Sequence, residues 1–280
     1  MLVELARLGS MREVADELRT TTSNVSQGIA ALAREAGTPL LEPEGRRVRL
    51  TPAGQRLAEH AVGILAAVDA ARLDLDPAAE PTGVVRVAGF ATAIRRSLLP
   101  VIDDLAHHHP GVELRLREHE PPEALELLAG NEVDLALTYD YDLAPATWRS
   151  DQRVTPLWQA EWGLGARTSE SRRPFTAYAD HDWIVNSRNN ADEHVLRTLA
   201  SMAGFTPKVV HRVDALELVD ELILAGLGVA LLPRGPASRR GVTVRPLKDP
   251  RVLLRAYAVI RPGRDQWPPV RAVLDRLAGS

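Results

Sequence analysis

The first fifty residues carry apolar positions at helical spacing. Ser10-Met11-Arg12-Glu13 fits a capping box, with Ser10 as N-cap, and Val14, Ala15 and Leu18 then give one apolar face. Thr20-Thr21-Thr22 interrupts that helix, and Thr21 is suited to cap a second one. Val25, Ile29 and Leu32 follow at spacings of four and three and are predicted to face inward, with Gly37 as the stop. Two short helices joined by a turn of about three or four residues form a helix-turn-helix pattern. Beyond it, Gly45 can turn a hairpin, and Val48 and Leu50 alternate with Arg47 and Arg49 as in a strand.

Thr51-Pro52 opens a longer helix, N-cap then proline in the first turn. Leu57, Ala61, Ile64, Val68, Ala71 and Leu75 recur at spacings 4-3-4-3-4, a heptad seam. Such a seam serves either packing on the chain's own domain or pairing with a second copy. Its position, between a small helix-turn-helix unit and the linker Asp76 to Pro81, favours a dimerisation helix. From Gly83 onward strands and helices alternate. Strands are predicted over 84–88, 112–116, 133–137, 161–165, 183–186, 229–232 and 253–260. Helices are predicted over 94–109, 122–129, 193–203, 215–225 and 270–277. This alternation predicts a doubly wound α/β sheet.

Composition narrows the classes. The 280 residues suggest about two domains. There is no cysteine, so disulfides, thiolate nucleophiles and thiolate metal sites are excluded. The acidic and basic residues of the first turns rule out a secretory h-region, and the apolar run Leu222 to Leu232 is too short to span a bilayer. A cytoplasmic location without membrane contact is expected. The net charge of −3 does not advertise a polyanion partner, although residues 1–56 sum to +1 and the remainder to −4. Any nucleic-acid argument rests on local geometry.

The pattern resembles the LysR-type transcriptional regulators over nearly the whole chain. The stretch Leu18 to Leu32 matches the family's recognition-helix region without a gap. Leu40-Leu41-Glu42 through Arg46-Arg47-Val48-Arg49-Leu50-Thr51-Pro52-Ala53-Gly54 is similar to its wing. Leu99-Pro100, His109-Pro110-Gly111-Val112-Glu113-Leu114, Asp134-Leu135-Ala136-Leu137, Ala203-Gly204-Phe205 and Ala225-Gly226-Leu227-Gly228-Val229 follow in family order. Gln27 stands where an Arg is common in the family and Thr22 where a Gln is common, and the first helix looks shortened.

The resemblance implies an α/β architecture in three parts. These are a winged helix-turn-helix over 1–56, a linker helix over 57–80 and a periplasmic-binding-protein-like effector domain over 83–280. The last would hold two doubly wound subdomains, one about 83–156 with 250–280, the other about 157–249. The expected partners are double-stranded promoter DNA, a small-molecule effector such as a carboxylate, a second copy or a tetramer, and RNA polymerase. No cofactor is expected.

Thr21, Thr22, Ser23, Ser26 and Gln27 occupy the polar face of the second helix. Gln27 suits bidentate contact with adenine, and Thr22 a base edge or a thymine methyl. Arg46, Arg47 and Arg49 suit phosphates. Ligands of open α/β sheets gather beyond the carboxyl ends of strands. That rule selects Ala91, Thr92, Thr138, Tyr139, Asn186, Ser187, Asn190 and Asp214, with Arg188 as a charge partner, although Asn and Ser are also ordinary turn residues.

His107-His108-His109 sits at a predicted helix end and points three ways, so it is no metal site. Gly226-Leu227-Gly228 runs helix to strand, opposite to a phosphate loop. No nucleophile–base set is present, so the chain is not expected to be an enzyme. The competing readings are a substrate-binding protein, an α/β enzyme, and a cytoplasmic small-molecule-binding protein whose shortened first helix impairs DNA binding.

Overall fold

A computed structural model describes all residues except 45–46, 77–79, 151, 236–239 and 280, and the side chains of Arg47 and Asp74. The chain opens with α1 (Leu2–Leu8), α2 (Met11–Glu17) and α3 (Thr22–Glu35). Ser10 caps α2 by accepting from the Glu13 N–H. Val14, Ala15, Val25 and Ile29 are buried together with Leu2 and Leu5 of α1. The antiparallel hairpin β1 (Leu41–Glu44) and β2 (Arg47–Leu50) follows; the turn at Gly45 lies outside the described residues.

Thr51 caps α4 (Pro52–Leu75) by accepting from the Gly54 N–H at 3.0 Å. A side chain at Gly54 would collide with the Leu40 carbonyl, which fixes α4 close under the hairpin. The predicted seam is split by the fold. Past Gly54, Ala58, Val62 and Ala66 of α4 bury against the chain's own body, where α4 meets α1 and the C-terminal elements. Leu57 and Ala61 are half-buried. Ile64 is 60% exposed and Leu75 85% exposed, with Val68 and Ala71 also facing out. Two apolar faces exist where spacing alone suggested one: Ala58, Val62 and Ala66, at spacings of four, lie roughly 100–180° around the helix from the start of the seam.

The larger domain contains β3 (Gly83–Gly89), α5 (Ala91–Ala93), a π turn Ile94–Leu98, α6 (Leu99–His108), β4 (Val112–Glu118), α7 (Pro121–Ala129), β5 (Leu135–Tyr141) and β6 (Arg153–Arg167). It continues through β7 (Asp182–Val185), α8 (Ala191–Met202), β8 (Lys208–Arg212), α9 (Leu216–Leu224), β9 (Val229–Pro233), β10 (Val242–Pro246), β11 (Val252–Ile260) and α10 (Pro268–Ala278).

The strands join one nine-stranded sheet in the order β4-β3-β5-β11-β6-β9-β7-β8, with β10 on β6. In the first half β3 pairs in parallel with β4 and β5; in the second, β7 pairs in parallel with β8 and β9. Two antiparallel strands, β11 and β6, stand between them. The 15-residue β6 belongs to both halves: residues 153–162 pair with β11, and residues 162–167 with β9 and β10. Sequence expectation held β6 to 161–165 and missed β10, since neither strand is a plain apolar run. The first helical stretch begins at Ala91 rather than Ile94, and β5 extends four residues past Leu137.

Beneath β5, Asp134 is fully buried and ties the first half together. It accepts from Arg86 Nε and Nη2 at 3.1 Å, from the Arg86 N–H at 2.9 Å and from Arg264 Nη2 at 2.7 Å. Burial alone would raise its pKa; Arg264 and Arg86 outweigh burial and hold it below the ordinary value. Among the described residues no helix is long and apolar enough to cross a membrane.

Candidate functional sites: a polar helix face and an acid-lined cleft

Two sites stand apart. The first is the outer face of α3. Thr21 accepts from the Asn24 N–H at 3.2 Å and caps the helix, so the helix begins where the spacing predicts. Thr21, Thr22, Ser23, Ser26 and Gln27 are all exposed, while Val25 and Ile29 behind them are buried. Gln27 Nε2 donates to Ser23 Oγ at 3.4 Å, a weak bond that leaves the amide available. In the hairpin, Arg49 is exposed and paired with Glu42 directly across the ladder at 2.8 Å. Such an exposed pair is worth little, so a phosphate can displace it. Arg46 lies outside the described residues, as does the side chain of Arg47.

The second site is a cleft of about 910 Å³ between the two halves of the sheet. Its size falls in the range of small-molecule sites. Ala91, Thr92, Tyr139, Asn186, Ser187 and Asp214 line it, drawn from the loops after β3, β5, β7 and β8. Thr138 and Asn190 do not. Successive strand residues point to opposite faces, so Thr138, 1% exposed, is buried on the far side of β5 from Tyr139. Asn190 is exposed at the N-cap of α8 and makes no side-chain cap.

Asn186 and Asp214 turn out to organise the loop. Asn186 Oδ1 accepts from the N–H groups of Arg188 and Asn189, each at 2.8 Å. Asp214 accepts from Ser187 Oγ at 2.6 Å and from Arg188 Nε at 2.7 Å. Arg188 also reaches Glu123 of α7 at 3.4 Å, and Arg95 of the π turn meets Glu217 of α9 at 2.8 Å. Both pairs cross from one half to the other. Arg188, expected to meet a ligand carboxylate, is therefore already engaged.

Sequence reasoning selected Tyr139 but missed Trp158, Trp162 and the acidic wall. Phe90 and Tyr139 meet edge to face at 4.7 Å, and Trp158 and Trp162 come from the middle of β6. Arg96 lies over the Trp158 ring at 4.3 Å, and Trp158 Nε1 donates to Ser97. The Tyr139 hydroxyl donates to buried Glu120 at 2.9 Å. Burial raises the Glu120 pKa against that hydrogen bond, with the Asp214 charge adding to the rise. Asp192, in the first turn of α8, is pushed up to about 7 by burial. The only local signal for these groups was a polar residue at a helix start, which ordinary capping also explains.

The histidine run closes a helix: His107 and His108 each bond through Nδ1 to the carbonyl four residues back. Among the described residues, no three His, Asp or Glu side chains gather as a metal site.

The sequence matches the family models for the bacterial regulatory helix-turn-helix protein, lysR family, over residues 1–55, and for the LysR substrate binding domain over 78–280. The transcriptional dual regulator GltC of Bacillus subtilis (strain 168) is 28% identical, covering 95% of this chain and 93% of its own length. CbbR of Rhodospirillum rubrum is 26% identical over 96% of this chain and 91% of its own. A probable hydrogen peroxide-inducible genes activator of Streptomyces viridosporus is 28% identical over 90% and 80%. Among solved structures, a full-length OxyR variant from Pseudomonas aeruginosa superposes with a TM-score of 0.70 at 20% identity, covering 99% of this chain and 91% of that one. The LysR family regulator CbnR superposes at 0.55, with 20% identity over 99% and 97%. Helix-turn-helix head, linker helix and two-halved α/β domain all agree with these matches, and the chain belongs to the LysR family of transcriptional regulators.

Proposed function

We propose that this regulator reads DNA with α3 and the hairpin, pairs with a second copy through α4, and takes its effector in the cleft. It acts by binding rather than catalysis. The observation that carries the reading is the sidedness of α3: five polar side chains stand in solvent over the buried pair Val25 and Ile29. A helix held this way can enter a major groove without rearranging its own core. Gln27 and Thr22 then meet base edges, while Arg49, with Arg46 and Arg47 beside it in sequence, holds the backbone. Ile64, Val68, Ala71 and Leu75 form the apolar stripe for the second copy.

An effector that binds one spacing of the two halves better than another shifts the equilibrium between arrangements of the DNA-binding heads, and so their promoter contacts and any contact with RNA polymerase. Peroxide sensing through a thiol is not open to this chain, which has no cysteine.

Fluorescence anisotropy on a duplex from upstream of its own gene separates the roles. Gln27→Ala should lose about 1–3 kcal/mol of discrimination at one base pair and keep its salt dependence. Arg49→Ala should weaken all sequences alike and flatten the salt slope by about one. Wild-type behaviour in both variants would remove α3 and the hairpin from the interface.

A further inference from the structure

The cleft's charges are unevenly satisfied. Among the described residues, four of its five arginines are held in ion pairs: Arg188 with Asp214 and Glu123, Arg95 with Glu217, Arg212 with Glu193 at 2.7 Å, and Arg234 with Glu161; the fifth, Arg96, lies over the Trp158 ring. Helix N-termini attract anions, yet those of α7, α8 and α9 are closed by the chain's own carboxylates, and only the short α5, at Ala91 and Thr92, is left without one among those lining the cleft in the described residues. Glu123 accepts from the Glu120 N–H at the start of α7, and Glu217 bonds its own N–H at the start of α9. Asp192 does the same at the start of α8.

Two acids of the cleft, buried Glu120 and half-buried Asp192, make no ion pair among the described residues, although the Arg188 charge is felt at Glu120. Glu120 is 7% exposed and holds only the Tyr139 hydroxyl and the α7 cap. Asp192 lines the cleft, and its Oδ1 is buried with no hydrogen-bond partner among the described residues. The Tyr141 hydroxyl, also buried, offsets the Asp192 charge only in part and completes no bond of good geometry. A buried carboxyl left this way is costly until a donor reaches it. Phe90, Trp158 and Trp162 supply aromatic walls in the same cleft, and ring faces attract ammonium groups as well as apolar bodies.

We propose that the ligand of this cleft carries a protonated amine on an apolar body of aromatic size, its ammonium between Glu120 and Asp192 and its body against Phe90, Trp158 and Trp162. The proposal rests on the cleft being the effector site. A carboxylate at Arg188, Arg95, Arg212 or Arg234 would have to break an existing ion pair, and beside Glu120 and Asp192 it would add a third negative charge. An ammonium donates to both acids and disturbs none of the pairs.

Binding then depends on pH. The groups facing Asp192 are Tyr139 and Tyr141 from β5, Glu120 from α7 and Asp214 from the loop before α9. None is a cation, and burial places Asp192 at about 7. Below that pH the amine must displace a proton, so its affinity falls by up to about tenfold per pH unit.

The test titrates the full chain with 2-phenylethylamine and with 3-phenylpropionate, following tryptophan fluorescence. The amine should bind and the acid should not. Asp192→Asn and Glu120→Gln, both isosteric, should each weaken the amine by roughly tenfold to a hundredfold. The wild-type affinity should rise from pH 6 to pH 8, and Asp192→Asn should lose most of that rise. Tighter binding of the acid, no binding of either probe, or amine affinity unchanged in both variants would overturn the amine assignment. Ala160→Trp, which fills the cleft from β6, separates this from failure of the site itself. If the acid binds wild type and Ala160→Trp abolishes it, the cleft stands and the ligand class falls. If the amine binds Ala160→Trp undiminished, its site lies elsewhere and the cleft reading falls too.

Discussion

In the head, the polar residues of α3 stand in solvent and ask little of the fold: Gln27 holds Ser23 weakly, and Arg49 sits in an exposed ion pair. In the cleft, Glu120 is buried and Asp192 half-buried, both with raised pKa values, and the buried Asp192 Oδ1 lacks a hydrogen-bond partner among the described residues. The head is a preformed surface whose affinity comes from a partner covering it. The cleft stores an unmet electrostatic demand that a ligand relieves. A surface of the first kind tolerates substitution in its fold and changes what it reads. A site of the second kind couples ligand, proton and domain arrangement together.

The comparison breaks most sharply from the cleft side. Asp134→Asn leaves Arg86 and Arg264 facing each other without a carboxylate and should cost about 3–5 kcal/mol in urea unfolding of the larger domain. The same carboxylate gives a pH signature. Its folded pKa is depressed, so its contribution is present above about pH 4 and lost as pH falls through the folded value. Wild type should lose stability in that acid window, and Asp134→Asn should show less of the loss.

From the head side, Ile29→Ala removes buried volume from the core that carries α3. It should cost about 2–5 kcal/mol and release the head at lower denaturant, with the phenylethylamine titration unchanged. Loss of ligand binding in that variant would mean the two regions fold as one unit. The smallest effect sharpens the picture: Thr21→Ala removes the α3 cap and should cost about 1 kcal/mol of head stability, with DNA affinity falling only as far as the helix frays.

Most of the head was legible because its signals are local. Ser10, Thr21 and Thr51 cap their helices within three residues, and Val25 and Ile29 mark the buried face by spacing alone. The cleft was half legible. The strand-end rule placed Ala91, Thr92, Tyr139, Asn186, Ser187 and Asp214 on the wall, but not Thr138, where strand parity was ignored, nor Asn190, exposed at the N-cap of α8. Glu120, Asp192, Trp158 and Trp162 were invisible because their neighbours are 19 to 61 residues away or more: Tyr139 meets Glu120, and Trp158 meets Ser97, only after the sheet closes. The second face of α4, through Ala58, Val62 and Ala66, was hidden for the same reason, since its partners lie in α1, about fifty residues earlier, and at the far end of the chain.

The most direct test of the central claim is anisotropy of the full chain on a duplex from upstream of its own gene, against a scrambled duplex, over a salt series. The account predicts tighter binding to the upstream duplex and a steep linear fall of log affinity with log salt. Equal, weak and salt-insensitive binding to both duplexes would contradict it.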